Sequence, residues 1–425
     1  MSGFFGFVSR TWAVLYPPQL HKVEGALRIG LLGASNIAPM AIITPARSHP
    51  EVIIAAVAAR DEKKAQAYAK KHGIPIVHKS YQDMLNDSSI DAVYVPLPNG
   101  LHYEWSLKAL KAGKHVLLEK PSTSNAAEAA ALFRHDILKQ PNAPVLLEAF
   151  HIRFHPAWKL FLSFLDRPNI ASVHVISIMP AGIFPKDDIR FIYDLSGGTL
   201  MDLGTYNVLC LRQIFGTEPE ECIEAIPRLM PKGFDQKCDE GFKIKYRFPN
   251  GAVGEMECDL ASRGGWPLPW LTGSLPTLSL PKCSVVHREV IVKDESLAAD
   301  NGLEHVAVKK VVMLNMFVPH FWHKIEVEEI HTIRDASTKV VKKTWKVKSY
   351  HKRYIWSKTA AEEQWPGEEH WSTYRYQLEE FVNHVKGREG SGIWMDSEDS
   401  VRQMAMIDSA YEKAGLPLRP TSTYK

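Results

Sequence analysis

Short apolar runs alternate with amphipathic segments from residue 27 to residue 150. The apolar runs are bounded by turn residues and are typical of buried strands, whereas apolar positions recur at helical spacing in the segments between them. This alternation predicts βαβ units that build a parallel sheet. The predicted strands span residues 27–32, 52–58, 74–77, 91–96, 115–118 and 145–149.

Capping residues support the helices between these strands. The segment 62–72 follows Asp61 as a helix N-cap and ends at Gly73, and Ser80 to Asp83 resembles a capping box that opens another helix. Strands and helices in this order make a complete doubly wound parallel sheet of the Rossmann type, an α/β domain over residues 27–150.

The pattern changes after residue 150, where strand-like stretches dominate. Residues 172–178 are predicted as a strand between helices at 156–165 and 201–214, and Pro249-Asn250-Gly251 is a typical β-hairpin turn. We therefore predict a C-terminal α+β domain over residues 151–425 with a large, mostly antiparallel open sheet.

A second antiparallel strand pair and two helices complete this domain. Glu326 and Glu328 on one strand are expected to face Lys346 or its neighbours on the next strand. The chain closes with helices predicted at residues 370–386 and 398–414, which we expect to pack back toward the first domain.

The first 26 residues form a separate apolar arm. Arg10 and Pro17-Pro18 interrupt it well short of the length of a membrane span, and it lacks the basic start and small-residue cleavage site of a secretory signal. We interpret it as an arm packed on its own domain or on a partner subunit. An anchor at a membrane surface is the alternative.

The amino-acid composition favours a soluble globular protein and argues against a nucleic acid binding protein. The 425 residues are 45% hydrophobic and 23% charged, as in soluble globular proteins, and a formal net charge of +3 is too balanced to predict nucleic acid binding. The five cysteines are widely spaced without a C-x-x-C pair, which favours a reduced, cytoplasmic compartment and no zinc site.

The first predicted strand runs into a candidate dinucleotide-binding turn. Gly33 allows a tight turn, and the small residues Ser35 and Ala38 occupy the positions of the second and third glycines of the dinucleotide fingerprint. A pyrophosphate would then rest on amides at the helix start. The predicted contacts are Gly33, Ala34, Ser35, Asn36, Ile37 and Ala38.

The end of the second strand bears on the choice of nucleotide. An acidic residue there binds a free ribose 2′-hydroxyl, whereas an arginine binds a 2′-phosphate. Asp61 is better explained as the cap of the following helix, which leaves Arg60 free and favours NADP, with NAD still possible.

Two more strand ends carry candidate cofactor contacts. Leu97, Pro98 and Asn99 follow the fourth strand and are expected to line the nicotinamide ribose, while His102 either joins them or faces water at a helix start. Glu119-Lys120-Pro121 follows the fifth strand, where α/β proteins of this kind bind their ligands.

Together these segments resemble the family of glucose-fructose oxidoreductase, inositol dehydrogenase and rhizopine catabolism proteins, which are NAD(P)-dependent oxidoreductases. Glu119-Lys120-Pro121 combined with residues 197–206, Gly-Gly-Thr-Leu-Met-Asp-Leu-Gly-Thr-Tyr, is specific to it, and residues 261–366 match poorly. Tyr206, where many members have histidine, is similar to the branch of dimeric dihydrodiol dehydrogenase and NADP-dependent D-xylose 1-dehydrogenase.

The resemblance implies that Lys120, Asp202 and Tyr206 lie at the nicotinamide and bind the substrate. Hydride transfer from a carbinol carbon needs a base for the hydroxyl proton, and an adjacent ammonium would favour ionised Tyr206. Asp202 and Tyr206 are four residues apart and would share a helix face. Arg153 is a further candidate for substrate binding, or it pairs with Glu148.

The predicted activity is hydride transfer between NADP and a secondary alcohol or carbonyl of a sugar, polyol or cyclic diol. A nucleotide-sensing regulator on the same fold and an NAD-dependent glycosidase are the alternatives. His151 and His155 have a possible metal spacing, but Pro156 argues against a helix across them and we expect no metal.

The substrate contacts and the assembly are less determined by the sequence. Aromatic side chains in the poorly matching region either stack on the substrate or form the sheet core and a dimer contact. They are Trp266, Trp270, Phe317, Phe321 and Trp322. The resemblance also implies a homodimer through the outer face of the C-terminal sheet.

Overall fold

The structure, a computed structural model, describes residues 4–264, 275–277, 279–293, 302–356 and 365–424. In chain order, strands β1 to β15 are Leu27–Leu32, Val52–Ala58, Ile76–His78, Ala92–Val95, His115–Leu118, Leu146–Glu148, Ile170–Pro180, Glu221–Leu229, Asp239–Arg247, Val253–Ser262, Lys282–His287, Val290–Ile291, Leu303–Leu314, Lys324–Asp335 and Val341–His351. Helices α1 to α10 are Phe4–Leu15, Thr44–Arg47, Glu62–His72, Tyr81–Asn86, His102–Lys111, Ala126–Phe133, Pro156–Ser163, Thr205–Phe215, Thr373–Val385 and Ser397–Lys413.

The first six strands form a parallel sheet in the order β3-β2-β1-β4-β5-β6. Side chains such as Ile29, Val57, Val93 and Leu118 are completely buried, as expected for a sheet covered on both faces. Strand order reverses between β1 and β4, so the carboxyl ends of these two strands border a crevice suited to a ligand. The predicted doubly wound sheet is confirmed.

The second sheet runs in the order β15-β14-β13-β11-β7-β10-β9-β8, and β12 pairs with β13. β7 and β10 are parallel, whereas the other neighbouring strands are antiparallel. Helix α8 packs on β7 and β10 and is buried along nearly its whole length. This arrangement confirms the predicted mostly antiparallel open sheet.

Charged side chains pair across β14 and β15 as the sequence predicts. The Lys348 ammonium lies 3.2 Å from Glu326 and 3.1 Å from Glu328, and Lys346 lies 3.6 Å from Glu328. Lys346 and Lys348 of β15 are therefore accounted for by cross-strand pairing with β14.

Several predicted elements differ in their boundaries, and two of them lie near the candidate nucleotide and catalytic sites. The third strand begins at Ile76 rather than at residue 74, and the predicted helix 201–214 is a π-helical turn, Leu200–Gly204, followed by α8. The chain is packed tightly at this turn, because a Cβ on Gly204 would lie 2.6 Å from Leu200 Cδ1 and 2.9 Å from Cys258 Sγ.

The N-terminal arm contains helix α1, Phe4–Leu15. Its Arg10 guanidinium lies 4.0 Å from the centre of the Tyr354 ring, and Val14 is buried, whereas Phe5 and Trp12 are exposed. The arm therefore contacts the second half of the chain along one side. No helix among the described residues is long and apolar enough to cross a membrane.

The last two helices lie against the parallel-sheet region. The Ala126 amide at the start of α6 donates to Asp408 of α10 at 2.7 Å, and Arg134 pairs with Glu398 at 2.7 Å. Lys386 beyond α9 pairs with Glu51 at 2.7 Å. Because α10 also packs on β8, the C-terminal segment bridges both sheets.

Candidate active site

Gly33 forms the turn at the end of β1. Its φ of +118° is rarely adopted by other residues, and its amide donates to Ala58 at 2.8 Å. A Cβ at this position would lie 3.3 Å from Leu97 Cδ2, so the turn is closed by the loop after β4. Such a cradle fits the close backbone approach that the pyrophosphate of a dinucleotide requires.

Asp61 has the capping role expected from the sequence, and Arg60 takes no part in that cap. The Asp61 carboxylate accepts from the Lys64 amide at 3.2 Å and caps α3, which confirms the predicted N-cap. Arg60, beyond the end of β2, is exposed. Its side chain is therefore accessible to a nucleotide phosphate at the same sheet edge.

The buried His102 ring holds the loop after β4 through hydrogen bonds. The ring nitrogens of His102 lie 2.7 Å from the carbonyl oxygens of both Leu97 and Pro121, and burial lowers the pKa of the ring to about 4. The expectation that it faces water is wrong, because the ring joins the loops after β4 and β5. Pro98 precedes a short helical turn whose Asn99 donates to Ser196 O at 3.0 Å.

Glu119 is part of the interior next to the candidate site. Its carboxylate accepts from the Tyr94 hydroxyl at 2.6 Å and, more weakly, from the Lys120 amide at 3.3 Å. Burial raises the pKa of Glu119, although these hydrogen bonds and the Lys120 charge oppose that effect. Glu119 thus fixes the backbone from which Lys120 projects.

Lys120 and Asp202 form an ion pair. The Lys120 ammonium donates to Asp202 Oδ1 at 2.8 Å and to the Asp202 carbonyl oxygen at 3.0 Å. Arg190 binds the other carboxylate oxygen at 3.1 Å. Burial opposes ionisation of Asp202, but the two cations outweigh it and hold the pKa of that carboxyl below its usual value.

Tyr206 faces the Lys120 ammonium with its ring, and its hydroxyl points to His151. The Lys120 ammonium lies 4.9 Å from the ring centre, whereas the hydroxyl lies 2.9 Å from His151 Nε2. Burial, together with nearby Tyr374, Glu119 and Asp202, raises the pKa of Tyr206 well above its usual value. The expectation that Lys120 favours the ionised phenol is therefore wrong.

Comparison with known proteins identifies the family. Residues 27–140 match the model described as "Oxidoreductase family, NAD-binding Rossmann fold", and residues 168–278 match the "GFO/IDH/MocA C-terminal domain". The chain is 31% identical over 239 residues to trans-1,2-dihydrobenzene-1,2-diol dehydrogenase of Mus musculus, covering 56% of this chain and 69% of the mouse protein. The chain belongs to the Gfo/Idh/MocA oxidoreductase family.

Other relatives match over a shorter part of their length. D-xylose 1-dehydrogenase (NADP(+)) 2 of Haloferax volcanii is 42% identical over 195 residues, which is 45% of this chain and 58% of that protein. The chain thus spans little more than half of this relative's length. KijD10, a 3-ketoreductase from Actinomadura kijaniata, has a TM-score of 0.63 at 22% identity, over 90% of this chain and 96% of the other, and shares its fold.

Arg153 lies outside the contacts that join Lys120, Asp202 and Tyr206 in this Gfo/Idh/MocA protein. Its guanidinium lies 2.7 Å from Asp399 and 2.7 Å from the Trp394 carbonyl oxygen. The expected pairing with Glu148 is wrong, since that carboxylate accepts from the Ser122 amide at 2.8 Å. Arg153 ties the turn after β6 to α10, and its assignment to substrate binding stays a prediction.

Three further residues surround the candidate site through contacts that the sequence did not predict. Arg190 clamps Asp202, His151 binds Tyr206, and the Phe317 ring lies 4.6 Å from the Tyr206 ring, centre to centre. Phe317 was one of the aromatic candidates, whereas Trp266 and Trp270 lie outside the described residues.

The spacing of His151 and His155 raised the question of a metal site. Within the ranges that the structure describes, no three His, Cys, Asp or Glu side chains are grouped to hold a metal ion. His151 Nε2, considered as a ligand from its spacing, is instead bonded to Tyr206.

Proposed function

We propose that the protein is an NADP-dependent oxidoreductase that transfers a hydride between the nicotinamide and a CH–OH or carbonyl carbon of a sugar, polyol or cyclic diol. The observation that carries this proposal is the placement of Lys120 at the carboxyl end of β5, paired with Asp202 and beside the Tyr206 ring. Relatives named as a D-xylose dehydrogenase and a dihydrodiol dehydrogenase support the substrate class.

Each residue of this group has a role that its environment supports. Lys120 presents a fixed positive charge to the reacting oxygen and stabilises negative charge that develops there. Asp202 and Arg190 hold that ammonium in place. Tyr206, neutral because of its raised pKa, donates a proton to the oxygen in the direction of reduction. NADP, when bound, supplies or accepts the hydride.

Variants of Lys120 and Tyr206 test the chemical step. We expect Lys120→Met and Tyr206→Phe each to lower kcat by about hundredfold or more, because each removes a group that acts at the reacting oxygen. NADP binding, measured by calorimetry, should persist in both variants. Turnover is followed at the nicotinamide absorbance band with aldoses, polyols and trans-dihydrodiols. Wild-type turnover in either variant would refute the assignment.

Arg60 tests the choice of nucleotide. Arg60→Ser should weaken NADP binding by about tenfold while leaving NAD binding nearly unchanged, because only NADP carries the 2′-phosphate. Lys70→Ser is the matched control, since it removes one exposed positive charge from α3, away from the tip of β2. Equal losses for both nucleotides in Arg60→Ser would contradict the assignment.

A further inference from the structure

The Tyr206 hydroxyl begins a buried hydrogen-bonded chain of side chains. Tyr206 Oη lies 2.9 Å from His151 Nε2, and His151 Nδ1 lies 2.8 Å from Thr373 Oγ1. His151 is 3% exposed and Thr373 is completely buried. The chain therefore leads from the candidate site into the protein interior.

Rigid contacts fix the imidazole in this chain. The His151 ring is stacked on the Tyr374 ring, with 4.0 Å between centres and 28° between planes. His151 begins the short helical turn after β6, Tyr206 lies in α8, and Thr373 begins α9. Because three elements converge on the imidazole, its orientation is set by the fold and not by solvent.

The chemistry of the three groups allows two hydrogen-bonding arrangements. A neutral imidazole has one N–H donor and one acceptor nitrogen, and both hydroxyls can donate or accept. In one arrangement Tyr206 donates to Nε2, and Nδ1–H donates to Thr373. In the other, Thr373 donates to Nδ1, Nε2–H donates to Tyr206, and the phenolic hydrogen is free to point at a substrate oxygen.

We propose that His151 is the proton-relay and positioning residue of this site, acting on the substrate through Tyr206. This inference rests on the proposed function. In oxidation, the carbinol hydrogen leaves with its electron pair to the nicotinamide, and the hydroxyl proton passes to Tyr206 Oη as the phenolic proton passes to His151 Nε2. The C–O bond becomes a carbonyl and Tyr206 stays neutral, while Nδ1–H donates to Thr373. His151 holds the proton until the product leaves, and the proton then returns through Tyr206 to water. In reduction, a proton from water first reaches His151 through Tyr206, and the transfers run backwards.

The electrostatic surroundings explain why a relay is needed. Burial and nearby carboxylates disfavour a Tyr206 phenolate, so Tyr206 cannot hold the charge alone. Burial, and then His320 and Lys120, lower the pKa of His151 well below its usual value. The imidazole therefore rests neutral with one nitrogen able to accept, and it holds the proton only during turnover before releasing it. Tyr206 hydrogen-bonds to the imidazole, Tyr374 stacks on it, and His320 and Lys120 lower its pKa.

Kinetic variants separate a relay from a structural role. His151→Gln keeps an amide near Tyr206 but cannot carry a proton, so kcat should fall about hundredfold with KM and NADP affinity within about threefold. Thr373→Val should lower kcat about tenfold. His155→Gln, a buried histidine four residues further along, is the matched control and should leave kcat unchanged. Unchanged kcat in His151→Gln would overturn the proposal.

A measurement on the cofactor-free protein tests the hydrogen bonds without turnover. The protein is labelled with nitrogen-15 histidine. The ring resonances of His151 are then identified as those that are lost in His151→Gln. Tyr206→Phe should shift the Nε2 resonance and Thr373→Val the Nδ1 resonance. An Nε2 resonance insensitive to Tyr206→Phe would overturn the relay. A wild-type protein that turns over none of the substrates would overturn the proposed function alone, since these shifts remain measurable.

Discussion

Glu148 is a buried carboxyl directly behind the turn that carries Lys120. Its Oε1 accepts from the Ser122 amide at 2.8 Å, and burial raises the pKa of the group from 4.5 to about 7. The folded protein therefore binds this proton more tightly than the unfolded chain does. Its contribution to stability is complete below pH 4.5 and is lost as the pH rises through 7.

Replacing Glu148 by glutamine should remove this pH dependence. The free energy of unfolding of wild type should fall by about 3 kcal/mol more than that of Glu148→Gln between about pH 4.5 and about pH 8. Urea unfolding across this interval measures the difference. Glu62→Gln, which changes an exposed glutamate at the start of α3, should retain the wild-type slope. Parallel curves for wild type and Glu148→Gln would contradict the prediction.

Sequence reasoning at the residue scale succeeded where the partner is close along the chain. Asp61 caps α3 through an amide three residues away, and Ser80 caps α4 in the same way. His151 and Tyr206 are 55 residues apart, and Arg190 and Asp202 are 12 apart across an irregular loop. Such contacts depend on the folded topology, so no local pattern predicts them.

At the element scale, the π-helical turn Leu200–Gly204 carries Asp202. Contacts from the C-terminal tail hold the residues just before this turn. Arg419 and Asp239 form a completely buried ion pair at 2.5 Å. Arg419 donates to Gly197 O at 2.6 Å, and Asp239 accepts from the Leu200 amide at 2.7 Å. Gly198 has a φ of +130°, and a Cβ there would collide with both charged groups.

Gly198→Ala should therefore lower the free energy of unfolding by about 3 kcal/mol or more, because it adds backbone strain and forces apart a buried ion pair. Gly25→Ala is the control: Gly25 has a φ of +71°, and no heavy atom lies within 4 Å of the place its Cβ would take, so only the strain cost of about 1 kcal/mol remains. Chemical denaturation compares the two. Equal losses would show that the ion pair adjusts freely.

Hydrophobic periodicity predicted the regular elements well and the irregular turn poorly. The bounds of β1, β2 and β5 follow directly from their apolar runs, since the buried positions of a strand covered on both faces must be apolar. The segment around Asp202 carries the same helical pattern as α8. Its π-helical geometry is favoured by close packing of Gly204 against Leu200 and Cys258, which a periodicity pattern does not contain.

At the scale of the whole molecule, the open sheet has one covered and one uncovered face. Val173 and Val175 of β7 point to the buried face, whereas His174, Ile176 and Ile178 alternate with them and are only half-buried. Lys243 and Lys245 pair with Glu257 and Glu255 on the neighbouring strands. A partly apolar face with charges of both signs is suited to pairing with a second copy of itself.

We propose that two copies of the chain associate through this face. Ile176→Arg, at the middle of the face, should convert a dimer into a monomer by placing an unpaired charge in the contact. Sedimentation velocity measures the change in mass. Val341→Arg is the control, because Val341 lies on the edge strand β15 and is 57% exposed, so an added charge there remains in water. A wild-type monomer, or a dimer that survives Ile176→Arg, would refute this interface. If the dimer forms, loss of activity in the Ile176→Arg monomer would further show that assembly supports the site, because the opposite face of β7 packs on the helix that carries Tyr206.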